Sequence, residues 1–251
     1  MASLSIARAE RTHPRAWFRV GRIAFAFVLL LPLHAGWRLF RRRSPWPGRF
    51  LQFAGKAAGA DVIVAGTPLT RDVLFIANHV SWLDILVLAG KTGSAFVAKA
   101  DMAPWPVIGW MATLNNSVYV AREQRLDVGA QALAMKTALE TGQPLTLFPE
   151  GTTGNGRELL AFRSSLVASV TPPPQGISIQ PVAIDYGPPA PDIAWIDDEP
   201  VGVNALRVMS RRERLAVTLH FLEPLDHADF ADRKAIAAHS RGAIAGKLFG
   251  G

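Results

Sequence analysis

The chain has 251 residues, enough to bury one full core, with 49% hydrophobic residues, only 19% charged residues and a positive mean hydropathy of +0.18. That composition points to contact with lipid, and the absence of cysteine excludes disulfides, thiolate catalysis and Cys-ligated zinc or iron–sulfur sites. A formal net charge of +7 suits nucleic acid, an anionic membrane or an acidic substrate, so its placement along the chain has to choose among them.

Much of the positive charge lies near the N-terminus. Arg8, Arg11, Arg15, Arg19 and Arg22 precede the apolar stretch Ile23–Trp37, and Arg38, Arg41, Arg42, Arg43 and Arg49 follow it. Basic clusters beside an apolar helix, with Trp17, Phe18, Trp37 and Trp46 at its edges, predict a membrane anchor, and no nucleic-acid-binding fingerprint is present. The stretch is about fifteen residues, or ~22 Å as a helix, against a hydrocarbon core of about 30 Å. Its shortness, Pro32 and the arginines on both flanks favour a kinked helix that enters and leaves one leaflet, with a tilted single span as the alternative. The arginine-rich lead and the lack of a small-residue cleavage site speak against a signal peptide. The expected location is a bacterial-type inner membrane on its cytoplasmic face, monotopic or with a single N-terminal span.

Residues 41–59 read as a linker and amphipathic connection, with Ser44-Pro45-Trp46-Pro47-Gly48 blocking a continuous helix. The expected division is an anchoring region over 1–59 and a catalytic domain over 60–251. In that domain, short apolar runs predict strands at Val62–Val64, Val73–Ala77, Ala95–Ala98, Ser117–Ala121, Thr146–Phe148, Ser178–Ile184 and Ala216–Phe221. Helices fall between several of them. The clearest is Asp127–Thr141, with Asp127 as N-cap and Gly142 as C-cap, and Asp232–Phe249 closes the chain. The predicted fold class is α/β, a single mostly parallel sheet of about seven strands covered by helices and preceded by the membrane-anchoring segment. Asp197-Asp198-Glu199 reads as a solvated loop and not as a metal site.

The stretch DVLFIANHVSWLDILVLAGK, residues 72–91, organises the rest. It reads as strand, tight turn and helix, placing His79 at the strand's carboxyl end, and Ser81 followed by Asp84 matches the [ST]-x-x-[DE] helix start. On one continuous helix residues five apart point about 140° away from each other. With the helix starting only at Ser81, the Asp84 carboxylate can fold back to the imidazole and hold one ring nitrogen while the other takes a proton from a hydroxyl. The plain alternative is that Asp84 caps a helix and His79 is a polar strand end.

Two further stretches bear on that choice. APWPVIGWMATLN, residues 103–115, is more aromatic than a polar connection needs, so Trp105, Trp110 and Met111 either line an acyl groove or pack as core. LTLFPEGTT, residues 145–153, is a second buried-strand run, and it delivers a carboxylate, a glycine and two hydroxyls at another strand end, where α/β sheets collect ligands.

With NHVSWLD and FPEGTT in this order, the chain resembles the lysophosphatidic-acid acyltransferase-like glycerolipid acyltransferases, whose first block is N-H-x-x-x-x-D and whose third is F-P-E-G-T. VAKADMAPWPVIGWMATLNNSVYVAR, with Lys99, Gly109 and Arg122, suggests the second block, and Ile179-Gln180-Pro181-Val182 the fourth, so the resemblance covers roughly residues 60–190. It implies acyl transfer from a thioester, acyl-CoA or acyl-carrier protein, to a lipid hydroxyl, with no metal, no other cofactor and no covalent enzyme intermediate. His79 is then the base and Asp84 its orienting carboxylate. Arg122, Glu150, Gly151, Thr152 and Thr153 match the positions that hold the acceptor's phosphate, and Lys99 joins them as a substrate-binding candidate.

The chain has Thr153 where the family often has arginine. Arg163, or Arg157, either replaces that charge or is a solvated surface residue. The expected partners are membrane lipids, a lysophospholipid acceptor and the acyl donor, with no nucleic acid. The expected reaction acylates the sn-2 hydroxyl of 1-acylglycerol-3-phosphate to give phosphatidic acid in phospholipid biosynthesis. The alternatives are another lysolipid such as lyso-ornithine lipid, or a non-catalytic membrane lipid-binding protein.

Overall fold

A computed structural model describes residues 14–40, 44–99, 115–120, 136–168, 175–196, 198–226 and 232–250, with single positions 133, 171 and 173. The strands are β1 (Ala60–Ala65), β2 (Val73–Ala77), β3 (Ala95–Lys99), β4 (Val118–Val120), β5 (Leu145–Leu147), β6 (Ser178–Asp185) and β7 (Leu215–Phe221). They form one seven-stranded sheet in the order β1-β7-β6-β2-β5-β3-β4. Every neighbouring pair is parallel except β6 with β7. The predicted mostly parallel sheet is therefore present, with all seven runs placed as strands.

Burial on both faces explains why β2 is an unbroken apolar run. Successive residues of a strand point to opposite faces. Val73, Phe75 and Ala77 enter one core layer, while Leu74 and Ile76 enter the other. The first layer is closed by α1 (Pro14–Leu39), α2 (Trp46–Ala58), α3 (Leu83–Thr92) and α6 (Val201–Met209). The second is closed by α4 (Ser164–Val167) and α7 (Arg233–Phe249), whose N-terminus is capped by Asp232 accepting from Lys234 N and Ala235 N. A short α5 (Ala190–Ile193) precedes α6.

α2 carries much of the first layer, since Phe50, Leu51, Ala54 and Ala58 are buried in it. Its crossing with α3 is close enough that a Cβ on Gly90 would lie 2.7 Å from the Gln52 Cα, so a side chain there would force the helices apart. α1 is 26 residues long and passes through Pro32, extending the fifteen-residue apolar stretch toward its N-terminus by the turns from Pro14 to Arg22. Val20, Ile23, Ala26, Phe27 and Leu30 pack on the core, and the buried Arg19 donates to Ala58 O at 3.2 Å and Met209 O at 3.0 Å. The opposite face leaves Trp17, Phe18, Phe25, Val28, Leu29 and Leu33 exposed.

One expectation is corrected. Glu199 is not part of a solvated loop, because its carboxylate accepts from Arg207 Nη2 at 2.9 Å and Asn204 Nδ2 at 2.8 Å, and these α6 partners hold the chain before that helix. Of the predicted helix Asp127–Thr141, positions 133 and 136–140 are helical, and Gly142 has the left-handed φ of 74° expected of its cap, while Asp127 lies outside the described residues.

Candidate active site

The parallel strands β3, β5, β2 and β6 end at one edge of the sheet, and the chain leaving β2, β5 and β6 supplies His79, Glu150 and Tyr186. Asn78, directly after β2, locks the start of this corner by donating to Ile184 O at 3.0 Å and accepting from Ile184 N at 2.7 Å. The chain then turns before α3 begins at Leu83, two residues later than the sequence pattern placed it.

Within that turn the Asp84 carboxylate folds back. Its Oδ2 lies 2.8 Å from His79 Nδ1 and accepts from the Val80 and Ser81 backbone amides at 2.7 and 2.9 Å. The two readings of Asp84, helix cap and imidazole partner, are thus the same oxygen doing both. An oxygen that accepts two backbone N–H bonds is an acceptor toward the ring as well, so Nδ1 carries the proton and Nε2 presents a lone pair. Asp84 is fully buried, and its Oδ1 accepts from the Tyr186 hydroxyl at 2.5 Å. Burial, with the Asp84 carboxylate facing it, pushes the Tyr186 phenol well above its usual range, so it remains a donor.

The His79 side chain keeps 16% of its surface exposed and stacks on Phe148 at 4.1 Å between centroids, which fixes the ring plane. Phe148 in turn lies against Phe96. Behind the ring, Glu150 is buried; its two oxygens accept from His79 N at 2.7 Å and Leu160 N at 3.1 Å. Burial raises its carboxyl to about 7 against the opposing pull of those two amides. Gly151 follows with φ of 77°, a conformation that favours glycine, and Gly154 N donates to His79 O at 2.7 Å. A cleft of about 150 Å³ opens beside His79 and Glu150, lined also by Glu158, Asp185, Tyr186 and Phe249.

The structure therefore brings His79, Asp84, Glu150 and Gly151 together. Thr153 sits beside them, with its hydroxyl donating to Trp195 O, and Trp195 N donates to Val80 O at 3.0 Å. Thr152 is exposed. Lys99 ends β3 at the same edge of the sheet. Arg163 is exposed at the start of α4 and tied in by its backbone N to Pro149 O at 2.8 Å; Arg157 is also exposed. Arg122, Trp105, Trp110 and Met111 lie outside the described residues. Sequence reasoning missed Asn78 and Tyr186. The available signal was a tyrosine immediately after the carboxyl end of β6, on a strand that pairs with β2.

Residues 61–185 match the family model described as Acyltransferase. A lyso-ornithine lipid O-acyltransferase of Rhodobacter capsulatus is 30% identical over 245 residues, covering 92% of this chain and 88% of its own length. That of Rhizobium meliloti is 35% identical, covering 88% and 82%. A 1-acyl-sn-glycerol-3-phosphate acyltransferase of Neisseria gonorrhoeae is 32% identical over a shorter span, 65% of this chain and 64% of its own. The crystal structure of the 1-acyl-sn-glycerophosphate acyltransferase of Thermotoga maritima shares the fold, with a TM-score of 0.66 at 21% identity over 94% of this chain and 96% of that one.

Proposed function

This chain belongs to the acyltransferase family, and from that membership we propose that it acylates the free hydroxyl of lyso-ornithine lipid, using an acyl thioester as donor and His79 as general base. The acceptor reading is supported by the sequence relatives: the two named for lyso-ornithine lipid match over 245 and 242 residues, whereas the Neisseria phosphate-acceptor enzyme matches over 170. Thr153, in place of the family's frequent arginine and with its hydroxyl spent on Trp195 O, supports a site with less demand for phosphate. The relatives matched over a shorter span keep 1-acylglycerol-3-phosphate, acylated at sn-2, as the second reading.

His79 Nε2 takes the proton of the acceptor hydroxyl as its oxygen attacks the thioester carbonyl carbon. Asp84 holds the ring and stabilises the imidazolium that forms. The tetrahedral intermediate then expels the thiolate, which takes the proton back from the imidazolium, leaving an ester and a free thiol. Glu150 holds the His79 backbone, and Lys99, Arg122, Gly151, Thr152, Thr153 and Arg163 are the remaining candidates for substrate contact. Acyl-carrier protein and acyl-CoA are both acidic donors suited to a basic chain, with no further cofactor.

The protein is membrane-associated, and α1 is the proposed attachment. The helix is long and apolar enough to cross a bilayer, at about 39 Å, yet one of its faces packs on the domain and Arg19 pins its start there. We therefore place it along one leaflet, on the cytoplasmic side, with its outer face in lipid.

Purified protein given labelled acyl thioester and, in parallel, lyso-ornithine lipid and 1-acylglycerol-3-phosphate should acylate the first at least about tenfold faster by kcat/KM, the ratio that measures acceptor discrimination. Preference for the phosphate lipid would establish the second reading. Thioester hydrolysis without acceptor, or no turnover with either lipid, would remove both.

A further inference from the structure

The structure assigns Tyr186 as a positioning residue for acyl transfer: by donating to Oδ1 of Asp84 it fixes the carboxylate and sets how strongly that carboxylate holds the His79 ring. The assignment rests on His79 as the base. A fully buried carboxylate survives only with a complete set of donors. Three of them converge on Oδ2, namely His79 Nδ1 and the Val80 and Ser81 amides, and on Oδ1 the one donor among the described residues is the Tyr186 phenol. No arginine or lysine among the described residues pairs with Asp84; its ion-pair partner is His79. Its charge is therefore spread over neutral donors, and removing one leaves more of it to act on the imidazole.

Packing does not call for the hydroxyl. The Tyr186 ring lies in the apolar layer that also holds Phe75, Val80 and Ile193, where a phenylalanine would fill the same space. The bond spans 102 residues of sequence and joins the end of β6 to the first turn of α3. It lies two residues beyond the double bond between Asn78 and Ile184, so the turn carrying His79 is clamped to β6 at both its backbone and its carboxylate. The other titratable groups facing His79 are Glu150, behind its backbone, and Asp185 and Glu158 across the cleft, with His220 3.8 Å from Asp185. None of them bonds to Asp84 among the described residues, so a change at the Tyr186 hydroxyl reaches the base through Asp84.

The chain has only two tyrosines, which permits a change in the hydroxyl without a change in shape. In a Tyr119→Phe background, uniform labelling with fluorotyrosine makes Tyr186 a stronger donor, and Tyr186→Phe removes the donor. Both proteins, with the unlabelled Tyr119→Phe parent, are assayed across pH with the lysolipid that turns over best. Tyr186→Phe should lower kcat about tenfold, leave acceptor KM within about twofold and move the acid limb of kcat/KM up by about half a pH unit, because the undamped carboxylate holds the imidazole proton more tightly. Fluorotyrosine should move the same limb the opposite way. Activity within about twofold in Tyr186→Phe, or a loss of activity with the acid limb unmoved in both proteins, overturns the assignment. If Tyr186→Phe does not fold, the fluorotyrosine protein decides alone by the direction of its shift. His79→Ala in the same assay separates the premises: full activity there ends the base reading itself, while an inactive His79→Ala with unmoved limbs ends only the role of Tyr186.

Discussion

The corner around His79 and the outer face of α1 are opposite solutions to the same problem of solvent. In the corner, charged and polar groups are taken out of water, and Asp84, Glu150 and Asn78 are each buried with partners supplied from within the fold. On α1 the reverse holds, since Phe18 is 66% and Phe25 67% exposed. The corner closes on its own partners, whereas the outer face of α1, as the proposed attachment, closes only against an apolar phase. A geometry needed for proton transfer has to be internally determined, and an attachment to lipid has to be left open.

The corner and the outer face of α1 are separable by mutation. His79→Ala should reduce kcat on the order of 10³-fold or more, and Asp84→Asn about as much, because an amide that keeps its oxygen on the ring and the Val80 and Ser81 amides turns its NH2 toward Tyr186 and leaves the imidazolium without a countercharge. Both variants should float with vesicles as wild type does. Steady-state acyl transfer measured beside flotation tests this, and a variant that lost membrane binding together with activity would show that the two regions are not independent.

The converse change is smaller. Replacing Trp17, Phe18, Phe25 and Leu29 with glutamine should lower vesicle partitioning at least about tenfold, given the apolar area each side chain offers lipid. Turnover in detergent micelles should persist, since the inward face of α1 and the Arg19 bonds are untouched. Unchanged flotation of this variant would refute the leaflet placement.

What was legible in the sequence follows the range of the forces. The seven strands and the His79–Asp84 pair are written locally, in apolar runs and in a spacing of five with a helix start between. Tyr186 was not, because only the pairing of β2 with β6 brings it to Asp84. Glu199 was misread for the same reason: its charge looks solvated until α6 presents Arg207 and Asn204. The Pro14–Arg22 turns were read as a charged flank, yet Arg19 is buried on two carbonyls that belong to α2 and α6, a destination no flanking pattern encodes.

Inside the corner, burying Glu150 carries a cost of its own. Its carboxyl is raised from 4.5 to about 7, mainly by burial, so between those pH values the native protein holds a proton that the unfolded chain has released. Stability from this group is therefore full below about pH 4.5 and is lost as pH rises toward about 7, by at most about 3 kcal/mol. Asp61, Glu199 and Asp232 have lowered values and lose their contribution only in more acidic solution, outside this window. His220 is lowered mainly by burial and pulls the other way as pH falls below its usual range, so wild type alone would blur these contributions. Glu150→Gln isolates this proton, because an amide cannot take it up while its oxygen still accepts from one of the two backbone donors. The difference in melting temperature between wild type and Glu150→Gln should shift in favour of the variant by several degrees from pH 5 to pH 7.5. A difference that stays constant across that range would mean that Glu150 is ionised throughout, held so by the His79 and Leu160 amides, and that the corner keeps a second buried carboxylate beside Asp84.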